Sequence, residues 1–75
     1  LSRRDRSLVV IAILTVLSRI DELAFHAPAG LNHGLSREEI EEVMVQMTIY
    51  GGIPRAVEGI QAVRRAFEKI DARKQ

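Results

Sequence analysis

The chain has 75 residues, so we expect residues 1–75 to form one domain with a modest core. It contains no cysteine, which excludes disulfides, thiol nucleophiles and thiolate metal sites in these residues and points to a reducing compartment, the cytoplasm. The net charge of +1 provides no broad basic or acidic field.

The first predicted helix spans about Arg4 to Ser18, and its interior from Leu8 to Leu17 is apolar on every face. Such a helix must be buried all round. We infer that one face contacts another subunit; the alternative is a central helix wrapped by the other three.

The apolar run from Leu8 to Leu17 is too short to span a bilayer, which needs about 20 residues, and no signal-peptide cleavage pattern follows it. Because the chain begins at Leu1, we expect it to be part of a longer protein.

The second predicted helix covers about Asp21 to Asn32, with Gly34 as its C-terminal stop. Pro28 lies in its middle, where proline removes a backbone hydrogen bond and disfavours helical geometry at Ala27. The sequence therefore predicts an element that is either kinked at Ala27–Pro28 or split into two short pieces.

The third predicted helix begins after Ser36, which acts as its N-cap and forms a capping box with Glu39. Gly51 and Gly52 end it. Its core-facing stripe follows a helical spacing and consists of Ile40, Val43, Met44, Met47 and Tyr50.

The fourth predicted helix opens at Pro54, and the residues after Asp71 form a frayed tail. No stretch alternates with the period of a strand, so the predicted fold is all-α with about four helices. The apolar stripe of the fourth helix consists of Ile53, Val57, Ile60, Val63 or Arg64, Phe67 and Ile70.

Three polar side chains of the second helix, Arg19, Glu22 and His26, share one helical face because they are spaced three and four residues apart. Arg19 could bind a substrate carboxylate through two parallel hydrogen bonds. Glu22 could fix the tautomer of His26, which could then move a proton near neutral pH. The alternative, which the spacing alone favours, is an ordinary Glu–His pair on a helix surface.

Two further side chains are candidates for the same site. His33 lies seven residues after His26, but the separations among His26, His33 and Glu22 match no recognised zinc motif, so no metal site is predicted. His33 also fits a helix end, where the carbonyl groups favour its charged form. The Tyr50 hydroxyl either makes a structural hydrogen bond or enters a pocket.

Nucleic acid is not a predicted partner. The segment from Gly34 to Glu42 could be mistaken for the turn of a helix-turn-helix motif, but its four glutamates would repel phosphate. The basic C-terminal end lacks interleaved aromatic residues and is interpreted as solvated surface. Its cations are Arg64, Arg65, Lys69, Arg73 and Lys74.

Several segments, in order and at matching separations, resemble the carboxymuconolactone decarboxylase family, which shares its fold with alkylhydroperoxidase D-like proteins. They are Arg6-Ser7 before the apolar helix, Arg19-x-x-Glu22-Leu23-x-x-His26, Ala29-x-Leu31-Asn32-x-Gly34, Ser36-Arg37-Glu38-Glu39-Ile40-x-Glu42-Val43 and Tyr50-x-Gly52-x-Pro54-x-Ala56. The resemblance implies an all-helical subunit that assembles as a homotrimer or homohexamer, with pockets near subunit interfaces. It also implies cofactor-independent conversion of γ-carboxymuconolactone to a ketoadipate enol-lactone and carbon dioxide, in aromatic-compound breakdown.

The peroxidase branch carries Cys-x-x-Cys-x-x-x-His, and aligning its histidine on His26 puts its cysteines at Glu22 and Arg19. Thiol-dependent peroxide reduction by these residues is therefore excluded. The resemblance implies a decarboxylase for a small carboxylated lactone, with His26 and Glu22 catalytic and with Arg19, Tyr50 and His33 binding substrate. The alternatives are a diverged non-enzymatic helical module or small-acid binder, and a redox protein whose cysteines lie outside these residues. Pro28 and the shortness of the chain are departures from the family pattern.

Overall fold

A computed structural model describes residues 1–74, which form four helices without any strand. The all-α fold predicted from the sequence is thereby confirmed. No helix within the described range is long and apolar enough to cross a membrane. The helices are α1 (Arg3–Val16), α2 (Ile20–Asn32), α3 (Arg37–Gly51) and α4 (Ile53–Lys74).

Each helix packs mainly against two others, in the cyclic order α1, α2, α4, α3, while the diagonal pairs α1–α4 and α2–α3 meet only briefly. All four helices contribute to one hydrophobic core at the centre of this arrangement. Its innermost side chains are fully buried, and they are Ile11, Leu23, Ile40, Met44 and Val63.

Helix α1 is buried on one side only. Ile11 is 0% exposed, whereas Val9, Ile13 and Leu17 are 49%, 51% and 59% exposed. The alternative of a central helix wrapped by the other three is wrong, because only α2 and α3 pack along α1 extensively. The described chain thus leaves an apolar face of α1 in contact with solvent.

Helix α2 continues through Pro28 without a break, so of the two predicted alternatives, a kink and a split into two pieces, the split is wrong. It ends in a Schellman motif, in which the Leu35 N–H donates to the Gly30 carbonyl at 3.0 Å and the Gly34 N–H donates to the Leu31 carbonyl at 3.2 Å. Gly34 has a φ of 104°, as predicted for the stop residue of this helix. The motif brings Leu35 into the core just before α3 begins.

Helix α3 begins with the predicted capping box, since Ser36 Oγ accepts from the Glu39 N–H and the Glu39 carboxylate accepts from the Ser36 N–H. The Ser36 backbone N–H lowers the pKa of Glu39, and the Arg4 guanidinium, which pairs with the same carboxylate, lowers it further. The stripe of α3 is buried at Ile40 and Met44, but Tyr50 is 70% exposed. Assigning Tyr50 to the core-facing stripe was therefore wrong.

Helix α4 turns a row of small residues toward the core. Ile53 and Val57, which the sequence assigned to the stripe, are largely exposed, whereas Val63 and Phe67 are buried as predicted. The other buried positions are Ala56, Gly59, Ala62 and Ala66. At Gly59 a Cβ atom would lie 3.2 Å from Met44 Sδ and 3.2 Å from the Cγ2 atom of Thr15. Those contacts are tighter than ordinary van der Waals distances, so a side chain at this position would require its neighbours to shift by a few tenths of an ångström.

The C-terminal part of α4 is ordered by contacts with α3. Asp71 accepts two hydrogen bonds from Arg37, at 2.6 and 3.0 Å, and these bonds lower the pKa of Asp71. The Arg37 guanidinium also lies 4.8 Å from the centre of the Phe67 ring. The tail predicted as frayed is therefore helical through Lys74, while Gln75 lies outside the described residues.

Replacing Gly34 with alanine is expected to destabilise the chain by about 1–2 kcal/mol, the cost of a left-handed conformation for a residue with a Cβ. No atom lies within 4 Å of a Cβ built at Gly34, so the effect comes from the backbone alone. Urea unfolding followed by circular dichroism measures it. Gly34→Asn, which tolerates this conformation better, should cost less; equal stabilities for all three proteins would contradict the assignment.

Candidate active site

The turn between α1 and α2 fixes where the candidate site begins. The Arg19 N–H donates to the Leu14 carbonyl at 2.9 Å and the Ser18 N–H donates to the Thr15 carbonyl at 3.2 Å, which is a second Schellman pattern. Its left-handed position is occupied by Ser18, with a φ of 57°. The chain then enters α2 at Ile20, with Arg19 as the N-cap residue.

Arg19 and Glu22 form an ion pair through Arg19 Nη2 and Glu22 Oε1. Both side chains remain substantially exposed, at 60% and 46%, so water screens the pair. No hydrogen bond joins Glu22 to His26 within residues 1–74, so the carboxylate is positioned by the guanidinium and not by the imidazole. The remaining N–H donors of Arg19 are available to a ligand.

His26 lies one turn further along α2 and is half-buried. Its ring meets the neighbouring Phe25 ring edge-on, with centroids 5.2 Å apart and planes at 87°. Phe25 itself is 70% exposed. Within the described chain, the imidazole therefore lies beside an aromatic side chain that nothing else covers.

His33 lies at the far end of α2, where it caps the helix. Its Nδ1 atom is 2.6 Å from the hydroxyl oxygen of Ser7, on α1. His33 follows Arg19 by fourteen positions, which corresponds to about 20 Å along a helix. The structure thus separates His33 from the Arg19 end of α2 and pairs it with Ser7, a partner that the sequence analysis did not identify.

Tyr50 lies near the Arg19 end of the molecule. The adjacent Gly51 packs against α1, since a Cβ on Gly51 would be 3.2 Å from the Cα of Val16, three residues before Arg19. The Tyr50 side chain is exposed and makes no hydrogen bond within residues 1–74. Its hydroxyl is consequently not needed to satisfy a buried group of the chain.

In chemical terms, one end of α2 carries a guanidinium, a carboxylate and an imidazole within two turns. About 10 Å of helix separates Arg19 from His26. Both side chains can therefore contact one small molecule that lies between them. No three His, Asp or Glu side chains in the described part of the chain lie close enough together to hold a metal ion. The arrangement is suited to binding an anion and transferring a proton beside it.

Comparison with known proteins gives a consistent result. The model of the carboxymuconolactone decarboxylase family matches residues 1–65. A 4-carboxymuconolactone decarboxylase from Acinetobacter baylyi is 34% identical over 70 residues, covering 93% of this chain and 52% of the relative. The nitrosuccinic acid decarboxylase npaB from Metarhizium robertsii is 28% identical over 70 residues, covering 93% of this chain and 49% of the relative. The chain therefore spans about half the length of the curated relatives it matches.

The exposed Arg19–Glu22 pair should contribute little to folding. A double-mutant cycle with Arg19→Gln and Glu22→Gln, measured by urea unfolding, is expected to give a coupling energy below about 1 kcal/mol, as for other exposed ion pairs. A larger coupling would make the pair a structural element of the turn. The Arg37–Asp71 pair, which links α3 to α4 through two hydrogen bonds, is the matched comparison and should couple more strongly.

Proposed function

The chain belongs to the carboxymuconolactone decarboxylase family, and from that membership we propose that it is a cofactor-independent decarboxylase of a small carboxylated lactone. Both relatives described above carry names of decarboxylases. The observation that carries the proposal is the Arg19–Glu22 ion pair at the start of the uninterrupted helix that also carries His26, in a chain without a thiol.

Decarboxylation imposes two requirements on such a site. The bond between carbon and the departing carboxylate breaks, and its electron pair moves into the adjacent conjugated system. The enolate that results must be stabilised and then protonated on carbon. An enzyme accelerates this only through groups that interact more strongly with the developing charge than with the substrate.

In this proposal, Arg19 binds oxygen atoms that stay with the product. A guanidinium bound to the departing carboxylate would stabilise the substrate and so oppose the loss of carbon dioxide. Bound to a retained carboxylate or to the developing enolate oxygen, it would favour the reaction. The ion pair with Glu22 supports this role, because it holds one edge of the guanidinium and leaves the other N–H groups free.

His26 would supply the proton. An imidazole changes protonation state near neutral pH, so it can donate to carbon and recover a proton from solvent. The sequence analysis assigned Glu22 to orient His26. The observed contact favours a different role for Glu22, namely positioning Arg19. Tyr50, at the same end of the molecule, remains a candidate for substrate binding. His33 is too far from Arg19 along α2 for both side chains of one chain to contact the same substrate molecule favourably.

The proposal includes assembly of several copies, as a homotrimer or homohexamer in the cytoplasm. An enolate intermediate is best protected where water is excluded, yet Phe25 beside His26 is 70% exposed. The α1 face formed by Val9, Ile13 and Leu17 is also uncovered. A contiguous apolar surface of this kind is typical of subunit interfaces.

A second candidate function is binding of a small acid without turnover, by a non-enzymatic oligomeric module. The open, solvent-facing geometry of the Arg19–Glu22 pair favours this alternative. Assembly with ligand binding but without release of carbon dioxide would distinguish it from the decarboxylase.

Turnover of 4-carboxymuconolactone, followed by release of carbon dioxide, tests the primary proposal. His26→Gln is expected to lower kcat by about 10²–10⁴-fold, the usual contribution of a general acid. Arg19→Gln should lower kcat/KM by at least about tenfold, through loss of hydrogen bonds from a charged donor. Arg3→Gln removes an exposed cation at the other end of α1 and is the matched control.

Full activity in the His26 and Arg19 variants would refute these roles. A soluble, folded and assembled protein that binds the lactone without converting it would favour the small-acid binder. Circular dichroism of each variant shows whether a loss of turnover reflects unfolding.

Assembly is tested by light scattering. Ile13→Glu is expected to reduce the mass to that of a single chain, because a carboxylate on the apolar α1 face would lose its water at an interface. Leu1→Glu, which changes a more exposed apolar residue outside α1, should leave the mass unchanged. A single-chain mass for the unsubstituted protein would contradict the assembly proposal.

A further inference from the structure

A cleft of about 390 Å³ lies between α2 and α4, on the side of α2 where Asp21, Ala24 and Pro28 are found. None of the candidate catalytic residues lines it. The cleft exists because both helices present small or apolar side chains to each other there, which keeps its floor shallow and unfilled. That floor is formed by Ile20, Ala24, Pro28, Ala62, Ala66 and Ile70.

The α4 wall of the cleft is cationic. Arg65, Lys69 and Arg73 line it at intervals of four residues, so they share one face of the helix. None of them forms an ion pair within residues 1–74. In contrast, Arg37 of α3 and Arg64 on another face of α4 each pair with a carboxylate. Three neighbouring cations that form no ion pair repel one another, and an anion in the cleft would relieve that repulsion.

The α2 wall offers hydrogen-bond acceptors. Asp21 contributes a carboxylate that is not in an ion pair in the described chain. Pro28 has no N–H, so the carbonyl of Ala24, a residue that also lines the cleft, lacks its usual helical donor. A hydroxyl group of a ligand could donate to either acceptor.

These features define a ligand. Three cations and one carboxylate leave two uncompensated positive charges in the cleft. The apolar floor suits a carbon skeleton, and the volume suits a small molecule. We propose that the α2–α4 cleft is a second binding site, for a small hydroxylated dicarboxylate whose carboxylates face Arg65, Lys69 and Arg73 and whose hydroxyl faces α2.

The cleft adjoins the candidate active site without depending on it. Ile20 and Asp21 line the cleft and also the surface that contains Arg19 and Glu22. The proposal concerns binding alone, so it stands or falls independently of decarboxylase activity.

Calorimetric titration at about 0.15 M ionic strength tests the site, with malate as the probe and succinate as the analogue that lacks a hydroxyl. Saturable malate binding is expected. The double variant Arg65→Gln/Lys69→Gln should weaken it by at least about tenfold, since two charge-assisted contacts are lost. Arg3→Gln/Arg6→Gln removes the same charge from exposed positions on α1 and should change affinity less than about twofold, as expected for screened distant charges.

The outcomes separate the parts of the proposal. The proposal would be overturned if no saturable binding occurred at malate concentrations up to about 10 mM, which corresponds to a binding free energy smaller in magnitude than about 3 kcal/mol. An equal loss in both double variants would also overturn it, because binding would then follow net charge alone. Malate should bind more tightly than succinate, and Asp21→Ala should reduce that preference; an unchanged preference would refute the role of the α2 wall. Circular dichroism verifies that each variant stays helical.

Discussion

The packing of the whole chain depends on the close approach of helices at Gly59. A Cβ at this one position would contact side chains from the three other helices, Thr15 of α1, Leu23 of α2 and Met44 of α3, at 3.2 to 3.4 Å. The Thr15 hydroxyl is satisfied locally, since it donates to the Ile11 carbonyl at 2.8 Å. The only buried polar side chain in the core of the described residues therefore leaves no unpaired group beside this contact. The small residues that follow on α4, Ala62 and Ala66, continue the close approach toward α2.

How much of this fold could be predicted depended on local chemistry. The α3 cap and the α2 stop are encoded by residues that act within a few positions of each other, Ser36 with Glu39 and Gly34 alone, and both predictions were confirmed. The turn between α1 and α2 lacks a glycine, so its left-handed residue, Ser18, gave no signal and both helix boundaries were displaced. On α4 the larger apolar residues indicated the buried face correctly at Val63 and Phe67 but not at Ile53 and Val57, which are exposed. The buried side of that helix is chosen by close packing, which favours alanine and glycine.

The candidate site was predictable to a similar degree. Spacing suggested that Glu22 pairs with His26, whereas Glu22 pairs with Arg19; spacing alone could not distinguish the two partners, because both lie within reach of Glu22. A permanently charged guanidinium with several donors is the stronger partner. The Ser7–His33 contact joins residues far apart in the chain and has no local signature. The cations of α4 were interpreted as solvated surface, and only their position opposite α2 distinguishes Arg65, Lys69 and Arg73 from the paired Arg64.

The turn at Ser18 determines which side chains of α2 face the candidate active site and which face α4. Because each residue of a helix advances it by about 100°, the residue at which α2 starts decides which side chains point to which side. The two hydrogen bonds of the turn fix that starting point relative to α1. Glu22 and His26 are four residues apart and so lie on one side of α2, while Asp21, Ala24 and Pro28 line the cleft toward α4. The turn therefore sets the rotation of α2, and gaining or losing one residue there would turn every side chain of the helix by about 100° relative to α1.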